Sequence, residues 1–164
     1  MLFQATHKTP VGELFLVSDE HILLAAGFHG FKDLYSRMDK ADAKREVKSV
    51  KNIPIISELI TDYFAGDISA FGGIKVRQPG AEFSQEVWKA MRKIPAGKTW
   101  SYSELASRAG SPSAVRAAGT ACARNLIAPI VPCHRVIKTG GALGNYGYGL
   151  QVKEWLLNHE GVLK

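Results

Sequence analysis

Cysteine is scarce in this chain, and both copies are confined to one stretch. The first 121 of the 164 residues contain none, and only Cys122 and Cys133 follow. Two cysteines this close in sequence do not make a disulfide framework, and no Cys/His spacing matches a zinc site. The start of the chain lacks the features of an export signal. We therefore expect reduced thiols, a cytoplasmic protein, and no metal or other cofactor.

Long apolar runs, internal repeats and low-complexity tracts are also missing. No stretch approaches the roughly 20 apolar residues that cross a bilayer, so we expect no membrane contact. Hydrophobic residues make up 46% of the chain, and 164 residues suffice for one medium domain or two small ones that share a core. We place a boundary near residue 79, between an α/β domain over 1–79 and a mostly α-helical domain over 80–164.

Excess charge is absent from the first half and is confined to the second. Residues 1–79 contain ten Lys and Arg and ten Asp and Glu, whereas residues 80–164 contain eleven and five, which accounts for the whole net charge of +6. A basic domain favours nucleic acid as the partner. A solvated basic face without a partner is the alternative that charge alone leaves open.

Short apolar segments separated by turns open the chain. Strands are predicted over residues 2–8, 14–17 and 22–28, with turns at 9–12 and 18–21. Because the turns are short, these strands should form a small antiparallel sheet. The pattern of residues 72–80 predicts an edge strand that leads into the domain boundary.

A helix is predicted after the charge-rich segment 38–51, which we interpret as a solvated helix or loop. Asn52 is a suitable cap, Pro54 suits the first turn and Gly66 suits the end. Helical spacing places six apolar side chains on one face: Ile53, Ile56, Leu59, Ile60, Tyr63 and Phe64. The histidines of this half are isolated, so we expect surface or structural roles for His7, His21 and His29.

Two short helices joined by a glycine are predicted in the second half, after an amphipathic helix over 83–94. Ser101 and Glu104 have the spacing of a capping box, and Gly110 suits the end of that helix. Ser111 and Pro112 are then a plausible cap and first residue of the next. This pattern is typical of a helix-turn-helix, and equally of an ordinary hairpin of helices.

The second of these helices has an unusual composition for one that binds DNA. Arg116 is its only long polar side chain, and its other exposed candidates are small residues such as Ala114, Ala117 and Gly119. A helix that reads bases in the major groove needs several Arg, Lys, Asn or Gln side chains. Small residues instead allow close approach to a narrow minor groove without sequence readout. Binding of the minor groove without sequence readout is expected of an enzyme that surveys DNA rather than of a transcription factor.

Cys133 directly precedes His134 within an apolar segment. A thiol is activated as a nucleophile when a base accepts its proton, and a neighbouring histidine is a common base. The alternative from adjacency alone is an inert core cysteine on a strand, with the two side chains on opposite faces.

Together these residues resemble the O6-alkylguanine-DNA alkyltransferases. The resemblance is dense over about 80–164 and rests on Tyr102, Arg116, Asn125, Pro132–Arg135, Gly144–Tyr146 and Glu160. It implies a ribonuclease-H-like α/β N-terminal domain and a winged helix-turn-helix C-terminal domain. It also implies a monomer, nucleoid-associated in a prokaryote, that binds double-stranded DNA in the minor groove and flips out the alkylated base. The alkyl group of O6-alkylguanine, and of O4-alkylthymine, would pass irreversibly to the protein's own cysteine in a single turnover.

The family's roles are carried over by the matching residues. The resemblance implies that Cys133 accepts the alkyl group, that His134 is its base through a water, and that Glu160 orients His134. Asn125 would brace the active-site turn, and Tyr102 would donate a proton to the departing guanine and help rotate the base. Further DNA contacts would come from Arg116, Ser103, Ser111, Thr139, Ala114, Ala117 and Gly119. The base pocket would include Val136, Tyr146, Gly147 and Tyr148.

Two positions depart from the family's common pattern. Gly147 stands where many members have serine, which should remove one hydrogen bond to the alkylated base. Tyr148 stands where some members have glycine, which should narrow the pocket mouth.

Other classes of protein explain less of the sequence. A winged-helix regulator leaves Cys133, His134 and Glu160 without a role, and a cysteine hydrolase leaves the DNA-binding features unexplained.

Overall fold

The computed structural model describes residues 1–162 and divides into two compact units. The first comprises Met1–Pro79 and Leu126–Ile130, and the second comprises Gly80–Asn125 and the chain from Val131 onward. Residues 126–130, which the predicted boundary near residue 79 places in the second domain, lie in the first unit. Within residues 1–162, no helix combines the length and hydrophobicity that a membrane crossing requires.

The segment 126–130 joins the first unit through backbone hydrogen bonds. The N–H of Ala26 donates to the carbonyl of Leu126 at 2.9 Å, and the N–H of Ala128 donates to the carbonyl of Ala26 at 3.1 Å. The side chains of Leu126, Ile127 and Ile130 are buried. An apolar segment looks the same in sequence whichever core it enters, so its pairing partner was not predictable.

The sheet of the first unit is mixed rather than antiparallel. Its strands are β1 (Leu2–Thr9), β2 (Gly12–Ser18), β3 (Leu23–Gly27) and β4 (Val47–Ser49), in the order β3-β2-β1-β4. The predicted meander of β1, β2 and β3 is confirmed, and both pairings are antiparallel. The prediction missed β4, which is parallel to β1. All three residues of β4 are exposed, so it lacks the alternating apolar pattern of a half-buried strand.

Three helices accompany this sheet: α1 (Phe31–Arg37), α2 (Lys40–Ala43) and α3 (Ile56–Phe64). Helix α1 was not predicted. Helix α3 begins later than predicted, because Ile55 precedes it with φ of 70° and Asn52 does not cap it. Its end before Gly66, whose φ is 125°, is confirmed.

The predicted edge strand over residues 72–80 does not form. A short 3-10 turn occupies Ala70–Gly73, and Val76 makes only an isolated parallel bridge with Leu23. Gly72 and Gly73 lie in the 3-10 turn and Pro79 has no N–H to donate, so little of the segment is left for strand pairing.

The second unit is mostly helical. Its elements are α4 (Glu82–Met91), β5 (Trp100–Ser101), α5 (Tyr102–Arg108), α6 (Val115–Ala123), a 3-10 turn (Cys133–Arg135), β6 (Val136–Ile137) and α7 (Leu150–His159). Helices α4, α5 and α6 pack on one another, and β5 is parallel to β6. The indole N–H of Trp88 on α4 donates to the carbonyl of Ala121 on α6 at 2.9 Å, which ties these two helices together.

Local signals at the ends of α5 are confirmed, whereas the predicted start of α6 is wrong. The hydroxyl of Ser101 accepts from the backbone N–H of Glu104 at 3.1 Å, and Gly110 has a φ of 96°. Helix α6 begins only at Val115, and no side chain caps it. Ser111 instead accepts the N–H of Ala114 through its carbonyl at 2.9 Å, so residues 111–114 form a turn before the helix.

Candidate active site

Cys133 lies at the start of the 3-10 turn, not on a strand. The residue is half-buried, and its place in this turn rules out the strand position that adjacency left open. The buried side chain of Asn125 donates from Nδ2 to the carbonyl of Val131 at 2.8 Å and to Sγ of Cys133 at 3.4 Å. One amide therefore braces the turn and directs an N–H at the sulfur, where it favours negative charge.

His134 is fully buried and is hydrogen-bonded through Nε2 to Oε2 of Glu160 at 2.9 Å. Burial lowers the pKa of His134, although the hydrogen bond and charge of Glu160 oppose this shift. The imidazole is therefore neutral at pH 7 and able to accept a proton. Its Nδ1 has no hydrogen-bond partner among the described residues.

Glu160 follows the last residue of α7 and is buried between two basic side chains. Arg135 donates from Nε to Oε1 at 2.8 Å and from Nη2 to Oε2 at 3.0 Å. Burial would by itself raise the pKa of Glu160, but the hydrogen bonds and charges of His134 and Arg135 outweigh it and lower that pKa to about 2. The carboxyl group is thus ionised throughout the neutral range.

Tyr102 is the first residue of α5, directly after the Ser101 cap. Burial raises the pKa of Tyr102 to about 12, with smaller contributions from Cys122 and Cys133. The phenol is therefore protonated at neutral pH and able to donate. Gly144, with φ of 76°, approaches this ring so closely that a Cβ there would lie 3.4 Å from the Tyr102 hydroxyl oxygen. The glycine-rich loop and Tyr102 thus meet at one site.

Cys122, the second thiol, has different surroundings. It lies on α6, and its Sγ is 3.8 Å from Sδ of Met91 on α4, so it packs towards the neighbouring helix. Burial raises the pKa of Cys122 well above its ordinary range. This thiol is a poor nucleophile at neutral pH.

The exposed side of α6 is made of small residues around one arginine. Arg116 and Ala117 are exposed, and Ala114 and Gly119 are partly exposed. The other predicted DNA contacts are also at the surface: Ser103 and Thr139 are exposed and Ser111 is partly exposed. Thr139 occupies a turn after β6, in which the N–H of Lys138 donates to the carbonyl of Ala142 at 2.8 Å.

The predicted pocket residues lie on β6 and in the loop before α7. Val136 is buried, Gly147 is exposed, and the rings of Tyr146 and Tyr148 pack edge to face with centroids 5.8 Å apart. The phenol oxygens of both tyrosines are buried. The Tyr148 ring thus packs against a neighbouring aromatic ring.

Lys153 is a site residue that sequence reasoning missed. It is fully buried on α7, and its Nζ donates to the carbonyls of Val136 at 2.7 Å, of Asn145 at 3.4 Å, and of Leu143. Burial lowers the pKa of Lys153, while the nearby Cys133 and Cys122 oppose the shift. One ammonium thus joins β6 to the glycine-rich loop. A lysine on a terminal helix carries no sequence signal for burial.

The sequence predicts no separate role for Arg135, although this residue lies in the cysteine motif. Its signal was present, since an arginine inside an apolar segment requires a buried acidic partner. Among residues 1–162, no cluster of three or more His, Cys, Asp or Glu side chains could hold a metal ion.

Comparison with known proteins identifies the family. Residues 82–162 match the family model of the DNA-binding domain of 6-O-methylguanine DNA methyltransferase. A methylated-DNA–protein-cysteine methyltransferase of Salmonella typhimurium is 39% identical over 166 residues, which cover 99% of this chain and 97% of that protein. The resemblance found in the sequence is therefore confirmed.

Solved structures of similar fold cover nearly the whole length of this chain. A variant of the Mycobacterium tuberculosis O6-methylguanine methyltransferase has a TM-score of 0.80 at 33% identity and covers 98% of this chain and 93% of that one. Mycobacterium tuberculosis OGT in complex with DNA has a TM-score of 0.78 at 32% identity and covers 96% and 92%. On this sequence and structural likeness, the chain belongs to the methylated-DNA–protein-cysteine methyltransferase family.

Proposed function

We propose that this protein repairs DNA by moving the alkyl group of O6-alkylguanine, and of O4-alkylthymine, to Cys133. The observation that carries the proposal is the half-buried Cys133 thiol beside the buried pair of His134 and Glu160, whose atoms lie 2.9 Å apart. A nucleophile, a base and a group that orients the base form the minimum set for activating a thiol. The names of its relatives support the same reaction class.

The reaction is a displacement at the alkyl carbon. His134 accepts the thiol proton through a bridging water, and the sulfur electron pair forms the new S–C bond. The O6–C bond breaks, and its electron pair passes to the guanine. Tyr102, protonated because its pKa is about 12, donates a proton to the leaving base, so that neutral guanine is released. The His134 imidazolium then returns its proton through solvent to the Tyr102 phenolate, so that in the net reaction the thiol proton is transferred to guanine.

The product on the protein is a thioether. A thioether has no low-energy route back to a thiol without a further reactant. Each molecule therefore reacts once and is consumed.

Base flipping follows from the location of the thiol and the composition of α6. The O6 substituent of a stacked guanine is out of reach, and extrusion costs a few kcal/mol. The small side chains on the exposed side of α6 suit close contact with the minor groove of double-stranded DNA, and Arg116 is long enough to occupy the vacated stack. The solved complex of Mycobacterium tuberculosis OGT with DNA supports DNA as the partner.

Finer features of the fold are part of the same proposal. Three antiparallel strands followed by a fourth parallel to the first support a ribonuclease-H-like first unit. Helices α5 and α6, with the turn after β6, support a winged helix-turn-helix in the second. We infer that one protein molecule acts at one lesion, because the whole catalytic set lies within the second unit of a single chain.

The proposed function is tested by the mass of the intact protein. After incubation with duplex DNA that contains O6-methylguanine, the mass should increase by one methyl group, located on the peptide that holds Cys133. Cys133→Ala should gain no mass, whereas Cys122→Ala should react as the wild type does. Transfer that survives in Cys133→Ala would overturn the assignment.

A further inference from the structure

We propose that Arg135 is a positioning residue that fixes the protonation pattern of His134, so that the nitrogen left open is the one that acts as base. Only the expected effect of Arg135 on the rate of alkyl transfer rests on the proposed function. The proposal concerns which ring nitrogen of His134 carries hydrogen in the substrate-free protein, and this can be measured without any substrate.

The Arg135 residue is only 7% exposed, and its guanidinium group is held by hydrogen bonds. Nε and Nη2 donate to the two oxygens of Glu160 at 2.8 and 3.0 Å, and Nη1 donates to the carbonyl of Ile94 at 2.9 Å. A guanidinium has five N–H donors, accepts nothing and does not lose its proton in proteins. Both oxygens of Glu160 must therefore act as acceptors.

Arg135 and His134 share one oxygen of Glu160. Oε2 accepts from Nη2 of Arg135 and is also 2.9 Å from Nε2 of His134. Because an ionised carboxylate only accepts, Nε2 must be the nitrogen that carries hydrogen. A neutral imidazole has one N–H, so Nδ1 holds the lone pair. Nδ1 is also the atom of His134 that is buried without a hydrogen-bond partner among the described residues.

Without Arg135, the hydrogen of the His134 imidazole would move to the other ring nitrogen. A buried carboxyl group favours its neutral form, and a neutral carboxyl group donates one hydrogen bond. Glu160 could then donate to Nε2, and the imidazole hydrogen would move to Nδ1. An Nδ1 that carries hydrogen cannot accept the thiol proton. In hydrolases with an aspartate in this position, a wrong tautomer costs about 10⁴-fold in rate.

Other ionisable groups lie near His134 and Glu160. Lys153 directs its ammonium at the carbonyls of Val136, Leu143 and Asn145. Arg92, at the end of α4, has its pKa lowered by burial and by the positive charge of Arg135. Cys133 lies next to His134 in the 3-10 turn. Arg135 donates hydrogen bonds to both oxygens of the Glu160 carboxylate, so we assign it the control of the tautomer.

The test compares Arg135→Met with Arg135→Lys. The first variant keeps the length of the side chain without charge, and the second keeps the charge without the planar fork. The 15N NMR spectrum of the His134 imidazole in the substrate-free protein should show hydrogen on Nε2 in the wild type and in Arg135→Lys. It should show hydrogen on Nδ1 in Arg135→Met at pH 6.

The pH profile of alkyl transfer supplies a second readout. With free O6-benzylguanine as substrate, Arg135→Met should react about 10²–10⁴-fold more slowly than wild type at pH 6, the range of a lost general base. It should recover as the pH rises, because Glu160 ionises only above its raised pKa. The wild type should show no such recovery, since its Glu160 is already ionised well below pH 6.

Each outcome decides the proposal. Hydrogen on Nε2 in Arg135→Met, or a rate loss equal at every pH, would overturn it and leave Arg135 a purely structural role. If Arg135→Met does not fold, Arg135→Gln replaces it as the uncharged variant. A wild-type protein that takes up no alkyl group would contradict the proposed function alone, because the NMR comparison would still decide the role of Arg135.

Discussion

Each unit of this protein holds a histidine with a short hydrogen bond through Nε2, and only one of the two belongs to the candidate site. In the first unit, His7 lies 2.8 Å from the hydroxyl oxygen of Ser57. In the second, His134 lies 2.9 Å from Oε2 of Glu160. Burial lowers the pKa of both histidines, so both are neutral at pH 7. Distance and protonation state therefore do not distinguish them.

The difference lies in the partner and in what surrounds it. Ser57 is 2% exposed, and its hydroxyl accepts the backbone N–H of Ile53 at 2.7 Å, just before α3 begins. This serine is too buried to meet a substrate, and its bond with His7 secures the start of a helix. Glu160 is instead ionised and held by Arg135, and His134 adjoins a half-buried thiol. A hydrogen-bonded histidine becomes a base only with an ionised partner and a reachable nucleophile.

The largest effect should come from breaking the pair in the second unit. Glu160→Gln and His134→Ala should each slow alkyl transfer by about 10²–10⁴-fold, because the thiol loses its base or the base loses its orientation. The double variant should be little slower than the slower single variant, since the two residues act as one unit. Rates are measured with free O6-benzylguanine, and His7→Ala is the matched control. Additive losses, or an equal loss in His7→Ala, would remove the distinction between the two histidines.

Arg116→Ala should slow repair of duplex DNA without slowing alkyl transfer from the free modified base. We expect duplex repair to slow by about 10- to 100-fold, because the side chain offsets part of the few kcal/mol that base extrusion costs. Transfer from the free modified base should be unchanged, and so should the preference among flanking sequences. Arg45→Ala, in the first unit, is the charge-matched control. Equal losses on duplex and free base would place Arg116 in the chemistry or in folding.

Tyr148→Gly should change substrate size preference rather than overall activity. The ring is packed edge to face against Tyr146 at 5.8 Å, so it should obstruct a benzyl group more than a methyl group. Relief of about 1–3 kcal/mol of misfit would raise the benzyl-to-methyl rate ratio by roughly 5- to 150-fold. The ratio is measured on matched oligonucleotides. A fall in the ratio would show that the ring stacks on aromatic substituents, a contact worth about 0.5–1.5 kcal/mol.

The smallest effect on alkyl transfer should come from Ser57→Ala. This change removes the partner of His7 and leaves the buried N–H of Ile53 without its acceptor, so the free energy of unfolding should fall by about 1–3 kcal/mol. Denaturant unfolding measures this loss, and the transfer rate under native conditions should equal that of the wild type. A rate loss comparable to that of Glu160→Gln would mean that the first unit takes part in the chemistry.

Local physical chemistry made much of the molecule predictable from the sequence. A hydroxyl three residues before a free backbone N–H is sufficient to cap a helix, so Ser101 and the start of α5 were predicted correctly. Apolar periodicity located α4, and short turns located β1, β2 and β3. The cysteine motif indicated the family, and the alignments confirmed it.

Tertiary structure alone decided the features that depend on distant partners. Strand β4, whose residues are exposed, forms because it can pair with the edge of β1. Residues 126–130 join the first unit because Ala26 donates to the carbonyl of Leu126 and accepts from the N–H of Ala128. Ser111 fails to cap α6 because the chain completes a turn before the helix begins. Lys153 and Arg135 are buried because carbonyls and a carboxylate far along the chain surround their charged groups. A residue type and its neighbours determine local geometry, but burial of a charge depends on partners that only folding brings within hydrogen-bonding distance.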